Sequence, residues 1–476
     1  MRSINHHSAS AATARAGLLA LIALLSYPDP SLARESETTT VSQRRTLRQA
    51  VEHALATHPE MKSEQLKVDR SLLAVDEVLN AKKPAIEFRF RTGLVPEAKG
   101  SIFESPDTNE DLDNLGIFWR FDLDVVQPIT TFGKISSSRA AAEHGVRVQE
   151  FGRDHVAAKL GFEVVRAYLE FEAAVRGMAL AEDLQDDYEN LLEEVEQAVA
   201  DPESDVDDTR LFEVQSFEFE IVDSRSRIQK DHEVTLALLE TLLGWENLDD
   251  QSFEPVTTPA LPNEDMLERL ISLAMMESPA IQQARSGLEA LDSRIDLAEA
   301  SRWPDIFLAL GGAYARAPNR TDIRNPFILD PFNLRTIGGY LGLRWNLKFA
   351  EHRLKISQST VERQQASEQL SILEDRLIME VTRAYSEALA LSETLGAAKR
   401  SEKAAKSWLR LSGDNWDLGL GSVDRLVTAY GQYYELAAIV IEQETRYNLA
   451  LARLAVTLGR IEYYLDWTEH ATIEIR

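Results

Sequence analysis

Pro84-Ala85-Ile86-Glu87-Phe88-Arg89-Phe90-Arg91 is the stretch from which the rest of the chain can be read. Ile86, Phe88 and Phe90 are apolar, whereas Glu87, Arg89 and Arg91 between them are charged. Side chains change face at every residue of a strand, so this segment has one apolar face and one charged face. A second run repeats the division, with Ile117, Trp119, Phe121, Leu123 and Val125 set against Arg120, Asp122 and Asp124. Such alternation over about ten residues, aromatic on one side and charged on the other, is the pattern of a strand between lipid and a wet lumen. A soluble sheet would need a second apolar layer over its greasy face, and no such layer is legible. Strands are expected at about 85–95 and 116–127, with Phe88, Phe90, Trp119, Phe121 and Leu123 towards lipid.

The same organisation occurs twice. Leu47, Ala54, Pro59, Pro84 and Ile86 recur 220 positions later as Leu267, Ala274, Pro279, Pro304 and Ile306. The offset then shortens to 217, where Arg166-Ala167-Tyr168 meets Arg383-Ala384-Tyr385, and to 215, where Leu243-Gly244 meets Leu458-Gly459. Shrinking offsets are what loop deletions leave in a duplication. With 16 prolines in 476 residues, two proline coincidences at one offset exceed chance. The unit is too long for a solenoid repeat and implies two similar halves. A second strand pair is expected at about 305–315 and 337–347, with Leu308, Leu310, Leu341, Leu343 and Trp345 on the apolar face. Leu343 and Trp345 are assigned to lipid, and mostly small residues lie opposite.

Helices fill the remainder. Pro59 and Pro279 follow His58 and Ser278 and open uninterrupted helical patterns, at the position where a missing amide hydrogen costs nothing. These helices stop before Pro84 and Pro304. From Ser136 to about Ala200, Leu160, Val164, Tyr168, Phe171, Val175 and Met178 recur every three or four residues and form one seam. Leu370, Leu373, Leu377, Val381 and Ala384 do the same in the second half. The Asp201 to Asp208 and Gly413 to Gly421 clusters turn the chain, and helices return to Leu243 and Leu458. At ~1.5 Å per residue the first long helix spans about 98 Å, close to the 59–81 and 207–244 helices laid end to end. Each half is therefore expected to pack two shorter helices along one continuous rod, with coiled-coil spacing between them.

The resulting division is a signal peptide at 1–33, a first repeat at 34–245 with a helical hairpin at 136–244, and a linker at 246–265. A second repeat at 266–460 carries a hairpin at 351–459, and a tail covers 461–476. Arg2 and Arg15, the apolar run Gly17 to Leu25 and the small-residue site Ser31-Leu32-Ala33 make the leader an export signal. The linker and tail are expected to belt the middle of the rods. The absence of cysteine excludes disulfides, thiolate metal sites and a lipid-modified N-terminal cysteine. A net charge of −27 argues against a nucleic-acid partner. No histidine pair has metal-ligand spacing, and no phosphate loop or nucleophile elbow is present, so neither catalytic residues, a metal site nor a cofactor is expected.

Four strands cannot close a membrane barrel, and an open edge in lipid leaves backbone groups unpaired. Oligomerisation follows. Three copies would give twelve strands and a usable lumen, whereas two would give a barrel filled by its own side chains.

Taken in order and in duplicate, these features resemble the TolC family of outer-membrane efflux proteins over about residues 45 to 460. Leu47 to Pro59 is similar to the family's opening helix, and Gln127-Pro128-Ile129 with Thr131-Phe132-Gly133 to its strand-to-helix exit. Gly419-Leu420-Gly421-Ser422-Val423-Asp424-Arg425-Leu426 resembles its hairpin tip. The resemblance implies a mainly α fold with a small membrane β part. In it, duplicated long-helix hairpins form an α-barrel and four strands per chain contribute to a homotrimeric 12-stranded β-barrel. It implies an exit duct in the outer membrane of a Gram-negative bacterium, with a large periplasmic portion, serving an efflux or type I secretion system. Its partners would be a periplasmic membrane-fusion adaptor, an inner-membrane transporter and outer-membrane lipid. By the same resemblance Gly419, Leu420, Gly421, Ser422 and Val423 would dock the adaptor and Asp424 would line the constriction. By position in the turn Asp417 is a second gate candidate. The first tip departs from the family in being acidic and lacking glycine, and Val427 stands where some relatives carry a second aspartate. A periplasmic adaptor without a pore is the alternative, but it should show one hairpin within a lipoyl-like β domain instead of two hairpins and amphipathic strands.

Overall fold

The computed structural model of the chain describes residues 44–473 other than 101–110, 203–205, 262–265, 324, 326, 419 and 472. The expected leader 1–33 lies outside the described residues, as do Gly419 and part of the acidic first tip. The first half runs α1 (Leu47–Thr57), α2 (Pro59–Asn80), β1 (Ala85–Glu97), β2 (Asp111–Thr130), α3 (Lys134–Ala200), α4 (Asp208–Ser216) and α5 (Glu218–Leu243). The second runs α6 (Leu267–Glu277), α7 (Pro279–Ala300), β3 (Asp305–Arg316), β4 (Arg335–Arg344), α8 (Phe349–Asp417) and α9 (Val423–Leu458). A last helix, α10 (Glu462–His470), follows. The chain is mainly α with one small sheet, in the same order of elements twice.

Local chemistry sets the element ends. Thr46 and Gln49 cap α1 reciprocally, with Gln49 N donating to Thr46 Oγ1 at 3.2 Å and Thr46 N donating to Gln49 Oε1 at 3.1 Å. Pro59 and Pro279 each open a helix of 22 residues. Gly244 and Gly459 end the two returning helices in left-handed conformations, at φ 65° and φ 116°. The long helices α3 and α8 have 67 and 69 residues, so each is a rod of about 100 Å. Along α3 lie α2 and α5, and along α8 lie α7 and α9; α7 and α9 also pack on α3, which joins the halves.

The main core surrounds the middle of the rods. Val164, Val165, Tyr168 and Phe171 of α3 meet Leu47 and Val51 of α1, Leu451, Leu454 and Leu458 of α9, and Trp467 of α10. The 246–261 segment crosses this zone. Phe253 lies inside the core, Tyr168 Oη donates to Arg45 O at 3.1 Å and Glu254 O at 2.5 Å, and Tyr447 Oη donates to Pro259 O at 3.0 Å. Glu444 of α9 ties both halves together, accepting from Arg176 of α3 at 2.8 Å and Lys399 of α8 at 2.7 Å. Burial alone would raise its pKa, but the two cations outweigh burial and hold the carboxyl below its usual range.

The sheet is antiparallel in the order β1-β2-β3-β4, with β1 and β4 as edges. Phe88 pairs with Leu123, Phe90 with Phe121 and Thr92 with Trp119; further along the sheet Val125 pairs with Leu310 and Leu308 with Leu341. Directly paired residues share a face, so the apolar positions form one continuous surface across all four strands.

Four details differ from the sequence expectation. The helix expected over 207–244 is interrupted at Phe217, whose N–H reaches back to Val214 O at 3.1 Å, a three-residue step that tightens the helix locally. Gly413 lies inside α8 instead of in the turn; a glycine costs a helix only about 1 kcal/mol relative to alanine, which a helix of 69 residues absorbs. Strand β2 continues to Thr130, beyond the expected end near 127, because a bulge between Pro128 and Thr130 restores pairing with Ile306. Strand β4 ends at Arg344, so Trp345 is not a strand residue; its indole donates to Arg302 O at 2.9 Å and turns towards the end of α7.

The two helix-ending glycines differ in surroundings. A Cβ on Gly459 would lie 2.9 Å from Glu277 O and from Pro279 Cδ, against backbone that cannot swing aside, whereas one on Gly244 meets nothing within 4 Å. Gly459→Ala is expected to cost about 1–3 kcal/mol from strain and overlap, and Gly244→Ala about 1 kcal/mol from conformation alone. Thermal unfolding of both variants in one detergent checks the ranking. A larger loss of Tm for Gly244→Ala would contradict this packing.

Candidate functional site

Two regions carry the features that the sequence marks for function: the sheet at one end of the rods and the hairpin tips at the other. On the sheet, Ile86, Phe88, Phe90, Ile117, Phe121 and Leu123 are all exposed although large and apolar. Phe121 bridges Phe90 and Phe88, with ring centroids 4.9 Å and 6.1 Å away. Trp119 shares this face but is half-buried. Leu343 and Trp345 are exposed, the latter just past its strand. A surface of this size and composition on a single chain marks a face made for lipid or a partner.

The opposite face is charged on β1 and β2 and mostly small on β3 and β4, where Phe307 and Tyr340 are the large exceptions. Its charges are not left free. Arg91 and Arg120 hold the buried Asp122 at 2.7 Å and 2.8 Å, and Arg89 pairs with Asp124. Gly311, Ala313 and Gly338 face the same way on β3 and β4 by register. The sheet is thus amphipathic, with the aspartates of its polar side paired to arginines within β2 and across from β1. The connection between β3 and β4 folds back on the first strand pair: Asn319 Nδ2 donates to Val95 O at 3.0 Å, and Phe332 meets Phe118 edge-on at 5.4 Å.

At the tips the two hairpins meet. Leu191 and Val195 of α3, Val214 of α4, and Val423 and Leu426 of α9 form a second apolar cluster. Three polar contacts surround it. Asp424, in the first turn of α9, accepts from Arg210 of α4, which also holds Glu213 at 2.8 Å. Trp416 Nε1 donates to Glu194 at 3.0 Å, and Tyr434 Oη donates to Asp187 at 2.6 Å. Burial pushes the Tyr434 hydroxyl far above its usual range, and the Asp187 carboxylate adds to the shift, so the phenol stays a donor. The α8–α9 turn is tight. Leu420 N and Gly421 N both donate to Asn415 O, at 2.9 Å and 3.0 Å, and a Cβ on Gly421 would lie 2.9 Å from Trp416 N.

The sequence candidates are placed as follows. Asp424 is brought to the inter-hairpin contact and is paired within its own chain. Asp417 ends α8 in an exposed position. Among the tip residues Leu420 and Ser422 are exposed, while Val423 is buried in the tip cluster and offers little surface for docking. Arg210, Asp187, Tyr434, Glu194 and Trp416 were not singled out from sequence. Of these only Arg210 had a local signal, as the one base beside an acidic tip.

The second half, residues 270–460, matches the family described as outer membrane efflux protein. Solved structures share the fold at low identity. The open state of the Neisseria gonorrhoeae MtrE outer membrane channel aligns at TM-score 0.69 and 17% identity, over 87% of this chain and 89% of that one. CusC, solved in a study of transmembrane channel formation, aligns at 0.68 and 16%, over 90% and 96%. The outer membrane protein VceC from Vibrio cholerae aligns at 0.66 and 14%, over 87% and 96%. No curated protein sequence matches the chain.

The two sheet faces should respond oppositely to substitution. Phe88→Lys and Phe121→Lys should each cost about 2–4 kcal/mol of insertion free energy if the apolar face lies at mid-bilayer. Arg89→Gln, on the polar face, should insert like the parent. A membrane-assembly assay in which both classes behave alike would contradict the assignment of faces.

Proposed function

We propose that this chain, whose residues 270–460 match the outer membrane efflux proteins, is one third of an exit duct through the outer membrane of a Gram-negative cell. The observation that supports this most is a four-stranded amphipathic sheet with two unpaired edges, set at one end of helical rods about 100 Å long. Three copies would join edges into a twelve-stranded barrel whose lumen carries the Arg89, Arg91, Asp122 and Asp124 ladder. The hairpins would continue that lumen through the periplasm as a helical tunnel. In this reading conduction is passive. A periplasmic adaptor and an inner-membrane transporter would deliver the cargo at the tips.

Gating follows from the contacts between hairpins. A single exposed ion pair holds little, so closure rests on the apolar tip cluster together with the Arg210–Asp424, Trp416–Glu194 and Tyr434–Asp187 contacts. An adaptor that separates the α3–α4 and α8–α9 tips would break all three at once. Asp424 and Asp417, repeated around the axis, would raise the negative potential of the passage once it opened and favour cations.

Single-channel recording tests this. Asp424→Asn and Arg210→Ala should each raise conductance or open probability several-fold. Arg210→Ala combined with Trp416→Phe and Tyr434→Phe should exceed either single variant. Unchanged conductance in the triple variant would remove these contacts from the gate, and failure of the purified chain to conduct at all would end the duct reading.

A further inference from the structure

Next to the tip cluster, where α4 gives way to α5 at Phe217, the helices stand apart. A cavity of about 480 Å³ lies between α3, α5 and α9, within the ~300–1,000 Å³ range of small-molecule sites. Its walls are mainly apolar, including Leu180, Leu184 and Leu191 of α3, Ile221 and Ile228 of α5, and Val427 of α9. It does not include Asp424 or Asp417, the residues proposed to line the constriction, but it shares Asp187 and Tyr434 with the contacts proposed to hold the tips closed.

Three features define what would fill it. First, Tyr188, Phe217, Tyr430 and Tyr434 line it, and the Tyr430 and Tyr434 rings are nearly parallel with centroids 6.5 Å apart. Aromatic faces attract cations. Second, its ionisable carboxyl groups are Asp187, Glu220 and Glu435, and among the described residues no lysine, arginine or histidine lines it. An anion would meet only repulsion there. Third, the void reaches the backbone of α9: a Cβ on Gly431 would meet no atom within 4 Å. Gly431 is exposed and lines the void, so a helix-weakening glycine leaves open space at its edge that a larger side chain would take up.

The geometry points to a binding site for an amphiphilic organic cation between the hairpins. Its apolar body would lie against Leu184 and Ile221, and its charge beside Asp187, Glu220 and Glu435 over the tyrosine rings. Neither the apolar wall nor the carboxylates alone would select this class; the combination does, because an apolar body removes water from the wall while the charge stays near its counter-ions. The site does not depend on the duct reading, since it is built within one chain.

The test uses the full-length protein in nanodiscs of zwitterionic lipid, with equilibrium dialysis of labelled tetraphenylphosphonium after subtraction of empty discs. Tetraphenylborate, an anion of the same shape, is the control. One saturable phosphonium site per chain is expected, with no saturable borate binding. Gly431→Leu should abolish binding while leaving Tm equal to or above that of the parent. Asp187→Asn should weaken binding about tenfold, and the exposed Glu435→Gln should weaken it less. Equal binding of both ions, undiminished binding by Gly431→Leu, or no saturable site would each overturn the proposal. It would also fall if phosphonium did not bind and Gly431→Leu changed the oligomeric mass, which would assign the groove to a neighbouring chain.

Discussion

The structure depends on the cost of an unpaired peptide group in hydrocarbon. Within water, a four-stranded sheet can leave its two edges to solvent. Within lipid, each unpaired N–H or C=O costs several kcal/mol, and the 13 residues of β1 and 10 of β4 form two such edges. The continuous apolar face makes water the wrong environment, and the edges make lipid intolerable for one chain alone. Both constraints are met when edges from neighbouring chains pair. The rods then acquire a common axis, and their length has a use, since about 100 Å of helix carries the lumen far from the membrane.

Duplication supplies the architecture, and divergence between the copies supplies its polarity. On the sheet the first pair of strands brings charge to the polar face, locked as arginine–aspartate pairs, while the second brings mostly glycine and alanine, with Phe307 and Tyr340 among them. At the tips the first returning helix breaks at Phe217, whereas its counterpart α9 runs 36 residues without interruption. The break coincides with the cavity between the hairpins, and the unbroken helix presents Asp424 to Arg210 at its start. The middle is where the copies are most firmly joined. Glu444 gathers cations from α3 and α8, and the linker threads Phe253 into a core shared by both halves.

Much of this was legible in the sequence because it rests on period and punctuation. Alternation marks β1 to β4, proline marks the starts of α2 and α7, and glycine after leucine marks the ends of α5 and α9. The seam residues Leu160, Val164, Tyr168 and Phe171 were found from spacing alone and are buried. What was not legible depends on distant partners. Nothing near Asp187 announces Tyr434, 247 positions away, and nothing near Glu194 announces Trp416. Trp345 continues the alternation of β4 and so reads as a strand residue, yet a hydrogen bond to Arg302 ends the pairing before it. Val423 sits in a turn motif that reads as surface, but the other hairpin covers it.

The central claim is that the sheet is completed by other copies of the chain. A chain without cysteine makes this directly measurable. Single pairs of introduced cysteines, one from Ile86, Phe88 or Phe90 of β1 and one from Ile337, Leu341 or Leu343 of β4, can be walked past one another in membranes. Within a chain these strands are separated by β2 and β3, about 14 Å, beyond the reach of a disulfide. The account predicts that at least one register oxidises to covalent dimers and trimers and that the ladder stops at three. If every pair remained monomeric in the outer membrane under oxidation, the edges would not meet, and the account would be wrong.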